Sequence, residues 1–173
     1  SLLSKTLGIP SLQKKDIEKI LSAIKDGLKV DFDNNWSCGV SNSLLIFINK
    51  KIWLDQYESK EHHLGFFKFS SVEKMKYSNN WSASFPSKEF IKIAPIKSGD
   101  KIKVDGKSIK VSEILRNYGI KNILKEVWPV VFFKDEIYWV PGIRKSDSLI
   151  EYEKSGKLNI ITASIEKSLN EDY

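Results

Sequence analysis

Apolar residues near the start of the chain recur at helical spacing. Ile17, Ile20, Leu21, Ile24 and Leu28 form one stripe, with Lys14, Lys15, Glu18, Lys19 and Lys25 on the other faces. Pro10-Ser11 supplies a start signal with Ser11 as N-cap, and Gly27 supplies a stop. The pattern predicts a helix from about Ser11 to Asp26. Beyond it the period changes to two. Leu28, Val30 and Phe32 alternate with polar residues, as do Trp36, Cys38 and Val40, before an apolar run from Leu44 to Ile48. Asp33-Asn34-Asn35 and Ser41-Asn42 are turn clusters. An antiparallel meander packed on the helix is expected. Gly65 to Phe69 and the segment from Trp81 to Phe85 offer further strands, while the polar stretch from Asp55 to His63 is expected to be a loop.

Pro86-Ser87 marks a boundary, giving an N-terminal module over 1–86 and a second module over 87–173. In the second, Phe90 to Ile93 alternates as a strand, Ser98-Gly99-Asp100 turns, and Lys101 to Val104 alternates again. Asp105-Gly106 is a strong hairpin signal. Val111, Ile114, Leu115 and Tyr118 fit a short amphipathic helix ending at Gly119, and Ile120, Ile123, Leu124 and Val127 a further helical turn or two. Val130 to Phe133 and Ile137 to Val140 read as apolar strands joined at Lys134-Asp135, and Leu158 to Thr162 as a last strand. The tail from Ser168 is polar. The fold class is therefore α+β: a helix packed on an antiparallel sheet, then a mixed unit of strands with one or two short helices.

Composition narrows the function. Hydrophobic residues at 41% and charged residues at 29% permit a packed core and argue against disorder. No apolar run approaches a membrane span, and Leu2-Leu3 is too short for a signal-peptide core. Ser1 in place of a start methionine suggests a fragment or a processed chain. A lone cysteine, Cys38, excludes an internal disulfide and fits the cytoplasm. The net charge is +6 and is uneven. From Lys88 to Lys125, nine Lys and one Arg stand against Glu89, Asp100, Asp105 and Glu113, whereas the segment from Glu126 onward is net acidic. Such a cationic segment attracts polyanions; a lysine-rich solvated face is the plainer alternative.

Catalytic signatures are missing. The chain has no GxxxxGK[ST], no GxGxxG and no SGGxDS-type phosphate loop. His62-His63 are adjacent and would point apart in an extended segment, so no metal site is expected. Cys38 sits in an alternating strand, where a buried thiol is the ordinary outcome. The carboxylates lie in turns or beside lysines, so no catalytic residues are assigned.

Five landmarks follow in order. Lys97-Ser98-Gly99-Asp100 precedes a lysine-bearing hairpin with Lys107 and Lys110. The helix from Val111 to Tyr118 comes next, followed by Lys125-Glu126-Val127-Trp128-Pro129-Val130 and then Trp139-Val140-Pro141-Gly142-Ile143-Arg144. This order, over roughly Phe90 to Ser146, resembles the C-terminal domain of the tRNA(Ile)-lysidine synthetases. That family shows R-x-R-x-x-G-D, R-x-x-x-P-V and W-V-x-G-x-R in the corresponding places. The segment from Ser11 to Ile48 resembles what precedes that domain in longer members. In the R-x-R-x-x-G-D place the arginines are not matched and Lys97 alone keeps charge there; at Lys125 lysine replaces arginine, which keeps charge but removes bidentate geometry. The resemblance implies a tRNA-gripping part of an enzyme that uses ATP and Mg to join lysine to the wobble cytidine of an isoleucine tRNA. The acceptor-stem side would be held here, and the ATP site would lie in a catalytic domain outside this chain.

The RNA-contacting residues expected on this reading are Lys97, Lys101, Lys107, Lys110, Lys121, Lys125, Arg144 and Lys145. Lysines at turns and hairpins reach phosphates and give salt-dependent binding. For Trp128, Tyr138 and Trp139, core packing is favoured over base stacking. For Arg144, a salt bridge with Asp147 or Glu151 competes with a phosphate contact. Two other readings stay open. One is a free-standing nucleic-acid-binding module. The other is a protein-interaction domain, a homodimer in which Val130 to Phe133 and Ile137 to Val140 form the shared face.

Overall fold

Helix α1 spans Lys14–Asp26 and begins where the Asp16 carboxylate accepts the Gln13 backbone N–H at 2.9 Å. It ends at Gly27. The computed structural model describes residues 12–33, 36–41, 44–49, 61–64, 67–73, 79–156 and 159–165. The expected cap Ser11, the turn residues Asn34, Asn35 and Asn42, most of the 55–63 loop, Gly65-Phe66, Leu158 and the polar tail lie outside the described residues. The α1 stripe does not face inward as its spacing predicts. Asp16, Ile20 and Ala23 are buried, while Ile17, Leu21, Ile24 and Leu28 are exposed. The apolar arc is wider than the contact α1 makes with the sheet beneath it.

That sheet is an antiparallel meander of β1 (Val30–Asp33), β2 (Trp36–Ser41) and β3 (Leu44–Asn49). Its inner residues Phe32, Trp36 and Cys38 pack with Ile20 and Ala23 of α1. Burial, then the charge of Asp31, pushes the Cys38 thiol up to about 11.

A second sheet has the order β4 (Glu61–Leu64), β5 (Phe67–Val72), β13 (Ile160–Ile165) and β6 (Ser82–Ser84), all antiparallel. Glu61 to His63 thus belongs to a strand and not to the expected loop. The third sheet runs β7 (Ile91–Pro95), β10 (Pro129–Phe133), β11 (Glu136–Val140), β8 (Lys101–Val104) and β9 (Lys107–Lys110), with β12 (Arg144–Lys145) also paired to β11. The contact between β11 and β8 is parallel, at Ile137 and Ile102.

One core joins these two sheets. Leu64, Phe67, Phe69 and Phe85 pack with Val130, Val131, Trp139 and Val140. Trp139 is fully buried, and its indole N–H donates to the Asn80 carbonyl at 2.8 Å. Trp128 is buried as well and donates to the Pro141 carbonyl at 3.1 Å. Both indoles are therefore structural, and neither is available for stacking. The apolar faces of β10 and β11 are consumed by the same core, so they do not supply the dimer face considered above.

Helices α2 (Val111–Asn117), α3 (Asn122–Val127) and α4 (Asp147–Lys154) complete an α+β fold. The first two match the expected short helices; α4 has no counterpart among the expected elements. Its N-cap Ser146 accepts from the Leu149 N–H. The next residue, Asp147, accepts from the backbone N–H groups of Asp105 and Gly106, at 2.8 Å each. Asp105 and Gly106 both have positive φ (51° and 73°), the geometry of a two-residue primed turn.

Candidate nucleic-acid interface

The connection from β9 through α2 to α3 builds a groove of about 750 Å³. It is lined by Lys110, Ser112, Glu113, Arg116, Ile120, Lys121, Asn122 and Lys125. Lys110 ends β9 and directly precedes α2. Val111, Ile114 and Leu115 turn into the core, which leaves Ser112, Glu113 and Arg116 on the outer face of α2. Lys121, the N-cap of α3, and Lys125 within it lie one turn apart, the Lys125 N–H donating to the Lys121 carbonyl.

The β1–β3 meander and the end of α1 hold α3 in place. Ile123 is fully buried against Gly39 of β2 and clusters with Ile48 of β3. Ser41 donates to the Lys121 carbonyl, and the Asn122 side chain donates to the carbonyls of Gly27 and Val40. Lys29 pairs with Glu126 at the outer edge of the same helix. The cationic wall is thus set by backbone bonds and packing, and the lysine side chains are left free of structural duty.

Four cations face the single carboxylate of Glu113 in this groove. Among the described residues, none of Lys110, Arg116, Lys121 and Lys125 is held in an ion pair; the pairs present involve Lys29, Arg144 and Lys145. Like charges also stand close together. Lys121 and Lys125 are one helical turn apart, and Lys110 lies directly opposite Lys101 across the β8–β9 ladder. Each such pairing costs roughly 0.2–0.5 kcal/mol in a solvated setting. A bound polyanion relieves both.

The expected contact residues divide accordingly. Lys110, Lys121 and Lys125 come together, and Lys101 adjoins them through Lys110. Arg116 joins them although its sequence context did not single it out. Lys97 is exposed on the β7–β8 turn and Lys107 at the far end of the hairpin. Arg144 bonds Asp105 at 3.0 Å, not Asp147 or Glu151. Lys145 is withdrawn altogether: it is 6% exposed and bonds both carboxylate oxygens of Glu153 at 2.8 and 2.9 Å. A side chain so enclosed does not reach a phosphate.

A second cleft, of about 450 Å³, lies over β8 and β11. There Lys101 and Lys103 are offset by Asp100, Asp135 and Glu136, so it is not a cationic surface. The Gly99-Asp100 landmark works as scaffold. The Asp100 carboxylate accepts the Lys97 N–H at 2.7 Å, and its carbonyl accepts from Val111 at the start of α2. Gly142 is scaffold too. Its φ is +75°, and a Cβ there would lie 2.4 Å from the Trp81 ring. Among the described residues, no helix is long and apolar enough to cross a membrane.

No protein-family model and no curated protein matches the chain. Among solved structures, the chain is similar to one described as a crystal structure of the TILS C-terminal domain. Identity is 19%, the match covers 60% of this chain and 87% of that one, and the TM-score is 0.48.

Proposed function

We propose that this chain binds tRNA, as the C-terminal part of an enzyme of the tRNA(Ile)-lysidine synthetase type, and that the groove between α2 and α3 is where the phosphate backbone lies. The observation that carries this reading is the groove itself: four cations, one carboxylate, and no ion pair holding the cations. Lysine and arginine side chains that are ordered at their base and free at their tip suit backbone contact, which is how A-form RNA is mostly held. The ordered landmarks from Lys97 to Arg144 support the family assignment. Lysine as amino-acid substrate, ATP and Mg belong on this reading to a catalytic domain elsewhere in the parent protein, and the cytoplasm is its compartment. The role of the chain itself is to grip the acceptor-stem side of isoleucine tRNA without adenylating it.

The experiment is a comparison of isoleucine tRNA with a tRNA of different acceptor-stem sequence, each bound to the wild type and to the charge-reversed Lys121→Glu/Lys125→Glu variant. The reading expects tighter binding of the isoleucine tRNA and loss of both complexes on charge reversal. Equal binding by the variant would remove the groove from the interface. Equal affinity for the two tRNAs would favour a free-standing nucleic-acid module.

A further inference from the structure

Phosphate binding in the groove leaves the second cleft, over β8 and β11, without a role. Strand register fixes what stands on its floor. Ile137 of β11 is the parallel partner of Ile102 of β8, and both are buried. Alternation puts Glu136 and Tyr138 on the opposite face, beside Lys101 and Lys103. Ser108 of β9 is the ladder partner of Lys103 and shares that face. All five residues line the cleft. Unlike the two enclosed indoles, Tyr138 is only half-buried. Its ring packs on Phe133, with centroids 5.2 Å apart, so the core holds it from one side. Among the described residues, none of Lys101, Lys103 and Glu136 is held in an ion pair. Charges of both signs thus stand unpaired around an aromatic ring.

We propose that this cleft binds a single unpaired nucleobase, stacked on Tyr138 with its edge between Glu136 and Lys103. The balance of charge gives no net pull on phosphate. A base is uncharged and flat, and its edge carries both donors and acceptors. A lysine donates to ring nitrogens and carbonyls, and a carboxylate accepts from an amino group. A tyrosine ring accepts any base face. A volume of about 450 Å³ lies in the range of small-ligand sites. The cleft also adjoins the groove. Lys101 stands directly opposite Lys110, a groove residue, and Lys103 is two positions further along β8, about 7 Å away. An RNA strand held in the groove therefore reaches Tyr138 with a nucleotide that is unpaired, at an end or a bulge. Bases inside a paired helix are stacked on each other and offer no free face. This last step alone rests on the groove being the phosphate site; a free nucleoside would meet the same chemistry.

The test uses three probes: 2-aminopurine riboside, a blunt RNA hairpin, and the same hairpin with a short unpaired extension containing 2-aminopurine. Wild type should quench the riboside and the extension, and should bind the extended hairpin about five- to tenfold more tightly than the blunt one. Tyr138→Ala should lose both quenches and the preference while keeping its affinity for the blunt hairpin. If Tyr138→Ala does not fold, Glu136→Ala/Lys103→Gln, whose side chains are exposed, decides in its place. Persistence of quench and preference in the deciding variant, or no quench of either probe by wild type, overturns the proposal. Quenching of the riboside without a preference for the extended hairpin keeps the base site and overturns its supply by the bound RNA. Lys121→Gln/Lys125→Gln should lose both hairpins and still quench the riboside. If it binds both hairpins as wild type does, the groove reading falls, and the riboside result still decides the cleft.

Discussion

Removing two charges from the groove should change the salt dependence of RNA binding by a calculable amount. Lys121 and Lys125 suit the experiment because neither side chain supports the fold. The bonds that hold α3 use the Lys121 carbonyl, the Asn122 amide and the packing of Ile123, all untouched by Lys121→Gln/Lys125→Gln. Each neutralised phosphate contributes about 0.7–0.9 to the slope of log affinity against log salt. With four groove cations engaged, the wild-type slope is about −2.8 to −3.6. Raising salt from roughly 50 to roughly 200 mM then lowers affinity about 50- to 150-fold. With two cations removed the slope is about −1.4 to −1.8, and the same step costs only about 7- to 12-fold. Fluorescence anisotropy of labelled tRNA across a KCl series measures both slopes. Lys103→Gln, in the charge-balanced cleft, is the control and should retain the wild-type slope. An unchanged slope in the double variant, or a wild-type affinity indifferent to salt, refutes the reasoning.

Three further outcomes follow from the fold. Gly142→Ala combines a positive φ with a Cβ placed 2.4 Å from Trp81, and should cost about 3 kcal/mol. That lowers Tm by roughly 6–12 °C in calorimetry; an unchanged Tm would show that Trp81 yields freely. Lys145→Met strands the partly buried Glu153 carboxylate and should cost about 3–5 kcal/mol by urea denaturation. Adding Glu153→Gln, which keeps an acceptor for the Ser84 N–H, should recover most of that loss, and failure to recover would mean that the Lys145 stem matters more than its charge. Backbone donation from Gly106, then Asp105, holds the Asp147 carboxyl below its ordinary 3.8. Ionised Asp147 therefore stabilises the fold above that ordinary value, and the gain is lost as pH falls through the lowered value. The Tm difference between wild type and Asp147→Asn should shrink on acidification over that range; a difference independent of pH would contradict the role given to the carboxylate.

Elements with strong local signals were legible in the sequence. The Asp105-Gly106 hairpin, the stop at Gly119 and the alternating strands β7 and β8 follow from turn chemistry and period. Other features depend on contacts distant in sequence. The spacing in α1 announces a helix without saying which part of a broad apolar arc is covered; the choice falls to Ile20 and Ala23 because β1 and β2 meet them there. Helix α4 buries Leu149 as its one fully enclosed apolar residue, too weak a stripe to stand out. The charge excess from Lys88 to Lys125 covers the segment whose cations line the groove, but charge along a chain does not reveal partners. Glu153 lies on α4, and its capture of Lys145 depends on a helix that the pattern did not disclose. Arg116 was hidden in the opposite sense. It lies on the outer face of α2, where its spacing from Ser112 and Glu113 already placed it opposite Val111, Ile114 and Leu115.

The most direct test of the central claim is lysine acetylation footprinting of the chain, free and bound to isoleucine tRNA, read by mass spectrometry residue by residue. The account predicts protection of Lys110, Lys121 and Lys125, with Lys101 beside them, while Lys15 and Lys25 on α1 react equally in both states. Protection concentrated on α1, with the groove lysines as reactive in the complex as in the free chain, would contradict it.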